Sequence, residues 1–123
     1  MRKSILLVDD SAVIRTATRH FLESQPGFEV CGEAGDGIQA LEKARDLKPD
    51  LIILDLAMPH MNGLQTAREL RVRKLTVPII LFTWHADAVP FEQAEAAGIT
   101  AVVSKTNPAE LHSHVNALLV VAV

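Results

Sequence analysis

Five short aliphatic runs alternate with five stretches of helical spacing in this 123-residue chain, and the alternation predicts an α/β fold with one parallel sheet between two helix layers. Four of the runs are unbroken, as expected of strands buried on both faces: Ile5 to Val8, Leu51 to Leu54, Ile79 to Phe82 and Ala101 to Val103. The remaining run, Phe28 to Ala34, sets apolar Phe28, Val30 and Ala34 against Glu29 and Glu33, so one face is wet and the strand belongs at a sheet edge. An edge position for the second strand favours the order 2-1-3-4-5, a doubly wound sheet in a three-layer α/β/α sandwich with right-handed crossovers.

The first strand ends in Asp9 and Asp10. Ser11 then supplies an N-cap, and Ile14, Ala17 and Phe21 recur at helical spacing until Pro26 and Gly27 stop the helix. Asp36 and Gly37 open a second helix, whose inward face is expected to be Ile38, Leu41, Ala44 and Leu47. Pro49 returns the chain to the third strand, which ends in Asp55, and a turn carrying Met58-Pro59 and Asn62-Gly63 leads to a more polar helix through Leu64, Ala67 and Leu70. Pro78 opens the fourth strand and Thr83-Trp84 closes it; Pro90 then belongs in the first turn of a short helix that Gly98 ends. The fifth strand ends in Ser104-Lys105. Asn107 with Glu110, around Pro108, predicts a capping box for a last helix with Leu111, Val115, Leu118 and Leu119 on one face.

Composition narrows the function. The chain is 49% hydrophobic and 22% charged, which suits a single globular domain over residues 1–123. A net charge of -3 and a pI near 5.9, with no cluster of Lys and Arg, argue against direct nucleic-acid binding. The lone Cys31 forms no internal disulfide, the opening MRKSILLVDD meets acid too soon for a signal peptide, and no run approaches a membrane span. A cytoplasmic location is expected. The closing LLVVAV is short and apolar, the kind of end left when a longer chain is cut.

The chemistry lies at the strand ends. In an open parallel sheet ligands bind beyond the carboxyl ends of the strands, and this order puts the switch point between strands 1 and 3, which end in Asp9, Asp10 and Asp55. Three clustered carboxylates repel one another unless a cation neutralises them, and an oxygen-only set this small suits Mg2+ rather than Ca2+. Thr83 and Lys105 end strands 4 and 5 at the same edge. Carboxylates, metal, hydroxyl and ammonium together suit in-line phosphoryl transfer to Asp55, with an aspartyl phosphate as product.

On these motifs the whole chain resembles the response-regulator receiver domains of two-component signalling, which have the flavodoxin-like form of this fold. Val8-Asp9-Asp10-Ser11, Leu54-Asp55-Leu56-Ala57-Met58-Pro59 with Asn62-Gly63, Thr83 and Lys105 stand where that family has its acidic pair, phosphoacceptor, hydroxyl and lysine. The resemblance implies that Asp10 binds Mg2+ directly, Asp9 largely through water, Asp55 through a carboxylate oxygen and Ala57 through its backbone carbonyl. It implies that Thr83, Lys105 and the backbone N–H groups of Ala57 and Trp84 contact the phosphoryl group. The implied partners are a sensor histidine kinase as phosphodonor and an output domain or protein on the face of helix 4, strand 5 and helix 5, with homodimerisation on phosphorylation as an option. Catalysis is then confined to the chain's own phosphorylation and dephosphorylation. Residues Phe28 to Ala34 are similar in wording to receivers that precede a helix-turn-helix domain. Three positions depart from the family: Val102 replaces an aromatic, Trp84 a small residue, and Thr106 the proline that gives a cis peptide.

Other readings remain. A phosphatase with an aspartyl-phosphate intermediate needs a second acid two residues after the nucleophile, where Ala57 stands, and a flavodoxin-like cofactor binder lacks a phosphate-cradling loop after strand 1. A pseudo-receiver that only docks a partner would leave the acid set unused. Taken singly, Ser11 is a cap, Thr83 a strand-end hydrogen bonder and Lys105 a solvated charge. Cys31 reads as a half-buried filler, His20, His60 and His85 as surface groups, and His112 and His114 do not face each other on a helix.

Overall fold

The computed structural model describes residues 2–119; Val120 to Val123 of the closing apolar run lie outside them. Five parallel strands, β1 (Lys3–Val8), β2 (Phe28–Ala34), β3 (Leu51–Leu54), β4 (Ile79–Thr83) and β5 (Ala101–Ser104), lie in the order β2-β1-β3-β4-β5. They alternate with α1 (Ala12–Glu23), α2 (Gly37–Leu47), α3 (Gly63–Val72), α4 (Phe91–Ala96) and α5 (Pro108–Leu118). This is the expected flavodoxin-like sandwich.

Strand alternation splits the core into two layers. Ile5, Leu7, Leu51, Ile53, Ile80, Phe82 and Val103 face α1 and α5 through Leu22, Leu111 and Val115. Leu6, Val8, Ile52, Leu54, Ile79 and Leu81 face α2, α3 and α4 through Ala40, Leu41, Ala67, Leu70 and Ala94. Every residue of β3 and β4 is buried, so these strands carry no polar residue before their ends.

Four local expectations need correction. The alternation in β2 breaks at Cys31: pairing steps from Ile5 opposite Val30 to Leu6 opposite Gly32, so Phe28 and Val30 face α1 and α5 while Ala34 faces α2. The face of α2 is Gly37, Ala40, Leu41 and Ala44, with Ile38 and Leu47 outside it at 54% and 42% exposure. Helix α1 buries Thr18 and Leu22 rather than Ala17, with Ile14 and Phe21 half-buried. Pro90 is the N-cap of α4, one position before its first turn. In the helices the reason is the same: apolar spacing gives a stripe, but the neighbour that covers it decides which edge is sealed, and small residues let α2 lie close.

Caps set the helix starts. Ser11, Asp36 and Asn107 each accept a backbone N–H from the first turn, and a full capping box forms at Asn62 and Gln65, with both bonds at 2.9 Å. At Asn107 only half of the expected box exists, because its own N–H donates to Ser104 O. Among the described residues no peptide bond is cis, and no helix is long and apolar enough to cross a membrane.

Candidate functional site

Where β1, β3, β4 and β5 end, the chain must turn polar, and the first residues past the buried sleeve converge. Asp9 follows β1, Asp55 follows β3, Thr83 ends β4 and Lys105 follows β5; all four are buried, while Asp10 is exposed. One carboxylate oxygen from each of Asp9, Asp10 and Asp55 lies within 4.8 Å of the other two. The Lys105 Nζ donates to Asp9 Oδ2 at 2.6 Å and lies 3.1 Å from Asp55 Oδ1. Buried charges require partners, and one ammonium between two carboxylates leaves this edge negative.

The hydrogen bonds divide the acids by role. Asp9 is the most heavily bonded: Oδ1 accepts from Ser11 N–H at 2.9 Å, Oδ2 from Lys105, its N–H donates to Ala34 O, and its carbonyl accepts from Arg15. Asp10 makes no side-chain hydrogen bond among the described residues, and the Asp55 carboxylate has only its ion pair with Lys105. The two less committed carboxylates are therefore Asp10 and Asp55. The site is all oxygen, with no His or Cys in the group, and such a donor set fits a hard divalent cation that keeps part of its water shell.

Burial pushes the Asp55 carboxyl above its usual range, the Asp9 charge adds to this, and the Lys105 ammonium opposes it. Its folded pKa thus exceeds its unfolded one, so its contribution to stability is full below the unfolded pKa and is lost as pH rises through the folded value. Metal-free wild type compared with Asp55→Asn is expected to fall progressively behind in melting temperature as pH rises through that window. The gap should narrow when Mg2+ is added. Equal melting temperatures at every pH would show that Asp55 carries no such strain.

The remaining neighbours are less tightly held. Thr83 Oγ1 accepts from His85 N–H at 3.1 Å, and Thr83 O accepts from Lys105 N–H. Trp84 is 55% exposed, and its ring centroid lies 5.8 Å from Lys105 Nζ, which makes the indole a lateral wall for the ammonium. Ala57 is exposed in the loop between β3 and α3, in which His60 takes a left-handed φ of 68°.

Two contributors escaped the sequence reading. Gly63 was legible only as turn chemistry, yet its N–H donates to Leu56 O at 2.8 Å, and a Cβ there would lie 2.4 Å from Asp55 O. Arg15 carries no signal in the sequence; its contact with the Asp9 carbonyl depends on the turn of α1 that faces the acids.

Comparison with known proteins gives a consistent set. A family model described as the response regulator receiver domain matches residues 5–116. A protein-glutamate methylesterase/protein-glutamine glutaminase of Pyrococcus abyssi is 44% identical over 92 residues, which are 75% of this chain and 24% of that protein. The nitrate/nitrite response regulator NarL of Escherichia coli is 45% identical over 80 residues, 65% of this chain and 37% of that protein. The chain thus spans well under half the length of these curated relatives. Among solved structures, the response regulator domain of Thermotoga maritima CheB superposes with a TM-score of 0.89 at 26% identity, covering 100% of both chains. The response regulator TrrA of the same organism, crystallised with Mg(2+)-BeF, superposes at 0.85 with 35% identity, covering 95% of this chain and 99% of that one.

Proposed function

We propose, from the premise that this chain belongs to the response regulator receiver domain family of two-component systems, that it is a single receiver unit whose phosphoacceptor is Asp55. The observation that carries the reading is the division of labour among the acids: both Asp9 oxygens accept hydrogen bonds, from Ser11 and Lys105, while Asp10 and Asp55 are less committed and keep oxygens for a ligand. Asp10 and Asp55 would hold Mg2+ with the Ala57 carbonyl, and Asp9 would act mainly through water. When bound, the ion supplies charge neutralisation for the acids and for the phosphoryl oxygens.

In the transfer, an Asp55 carboxylate oxygen attacks phosphorus in line. The P–N bond of a kinase phosphohistidine breaks and its electron pair leaves on the imidazole nitrogen; with an acyl phosphate, a P–O bond breaks and a carboxylate leaves. Lys105, 3.1 Å from Asp55 Oδ1, would balance the negative charge of a phosphoryl group there. The Thr83 hydroxyl and the N–H groups of Ala57 and Trp84 would complete the contacts. The outcome is a covalently marked domain that acts on an output partner, and its catalysis extends to itself alone. Val102, half-buried on edge strand β5, offers no ring to rotate, so the signal would pass through the loop after Thr83 and α4.

The test is direct. Incubated with Mg2+ and a small acyl phosphate, the protein should gain one phosphoryl group by intact mass, and chelation of the metal should prevent the gain. A protein that stays unmodified under both conditions would favour a docking module over a phosphoacceptor.

A further inference from the structure

We infer that Arg15 is a positioning residue for the acidic pair: anchored on Glu33 of edge strand β2, its guanidinium fixes the Asp9-Asp10 peptide and so aims Asp10 into the cation site. The inference rests on the metal site proposed above and adds a residue and a strand to it.

The geometry is a chain of hydrogen bonds across three elements. Arg15 Nη1 on α1 donates to the Asp9 carbonyl at 2.5 Å, and its Nε donates to Glu33 Oε1 at 3.0 Å. Glu33 Oε2 accepts from Arg19 Nη1 at 2.6 Å, and Arg19 Nη2 reaches Val30 O at 3.3 Å. Burial raises the Glu33 carboxyl, but the bonds from Arg19 and Arg15 outweigh it and hold the group ionised below its usual range. The bulge at Cys31 makes this possible, because it pairs Glu33 with Leu7 and turns its side chain to the α1 side of the sheet.

The peptide that Arg15 grips is planar, so holding the Asp9 oxygen also sets the direction of the bond into Asp10. That matters because no side chain among the described residues holds the Asp10 carboxylate. Its aim comes from its backbone. A lone guanidinium so close to a cation site would repel the ion, and the carboxylate of Glu33 offsets that charge. The arrangement therefore supplies direction at little electrostatic cost.

Titration calorimetry of Mg2+ into the metal-free protein separates the possibilities, with melting temperature recorded beside it. Arg15→Ala is expected to weaken Mg2+ binding by about tenfold, the lower end for residues that orient a ligand from behind. Arg15→Lys keeps the charge but not the two-pronged reach, and should recover only part of the affinity. Glu33→Gln should weaken binding in the wild type and have no further effect in the Arg15→Ala background, because Glu33 acts through Arg15. Unchanged or tighter binding in Arg15→Ala, full recovery with Lys, or additive losses in the double variant would each overturn the proposal, as would a lower melting temperature with normal Mg2+ affinity. Should Arg15→Ala fail to fold, the Lys and Gln variants carry the test alone. Asp10→Ala in the same titration distinguishes the two levels: if it still binds Mg2+, the metal site itself is misassigned, and if it alone loses binding, only the role of Arg15 falls.

Discussion

Asp55→Asn protein given Mg2+ and a small acyl phosphate is expected to gain no phosphoryl group under conditions that label the wild type fully. The amide keeps the shape of the side chain at the end of β3 but has no negative oxygen to attack phosphorus. Asp9 is no substitute, since both of its oxygens already accept hydrogen bonds, from Ser11 N–H and Lys105, whereas the Asp55 carboxylate meets Lys105 alone. Asp10 is exposed at the rim, outside the reach of the Lys105 contacts. Each factor of ten in rate corresponds to about 1.4 kcal/mol of barrier, so loss of the nucleophile should take labelling below detection rather than merely slow it. Intact mass with peptide mapping reads the result. Label retained at wild-type level in the Asn variant would move the acceptor elsewhere and dismantle the proposed site.

The second large effect is expected at Gly63, at the start of α3. Its Cβ would stand 2.4 Å from Asp55 O, 2.8 Å from Leu81 Cδ1 and 3.0 Å from Leu56 Cα, and two of these three neighbours are backbone. Replacing glycine by alanine in a helix ordinarily stabilises by roughly 0.4–1 kcal/mol through the unfolded chain. Overpacking a fully buried position costs roughly 1–3 kcal/mol and more where backbone must move, so the clash should win. Leu81 is fully buried and has nowhere to swing. Gly63→Ala should therefore lower the melting temperature by several degrees and slow phosphoryl labelling, because the atom it displaces is the carbonyl of Asp55 itself. A variant as stable as wild type with normal labelling would show that the loop between β3 and α3 yields freely.

The fold was readable because parallel strands leave a local trace. A strand covered on both faces has no room for a polar residue, so β3, β4 and the Ile5–Val8 part of β1 read as unbroken runs; β2 betrays an open side, while β5, the opposite edge, reads as an unbroken run although three of its four residues are half-buried. The same logic marks the strand ends, where the first polar residue must fall outside the sleeve. Asp9, Asp55 and Lys105 were thus identifiable as neighbours, although the first and last are 96 residues apart.

What the sequence could determine by itself was which residues reach the rim of the sheet, since alternation and burial are written locally in periods of two and 3.6 residues. Only the tertiary structure decided how those residues share their hydrogen bonds: that Lys105 bridges Asp9 and Asp55, that both Asp9 oxygens accept bonds while Asp10 has no side-chain partner among the described residues, and that Arg15 grips the peptide between the acids. It also decided that Cys31 bulges, that α2 leaves Ile38 and Leu47 outside its packed face, and that Gly63 rests against the Asp55 carbonyl. A periodic pattern records how deeply each side chain is buried, whereas the choice among several possible partners depends on distances of a few ångströms between segments remote in the chain, which arise only when all the layers have packed.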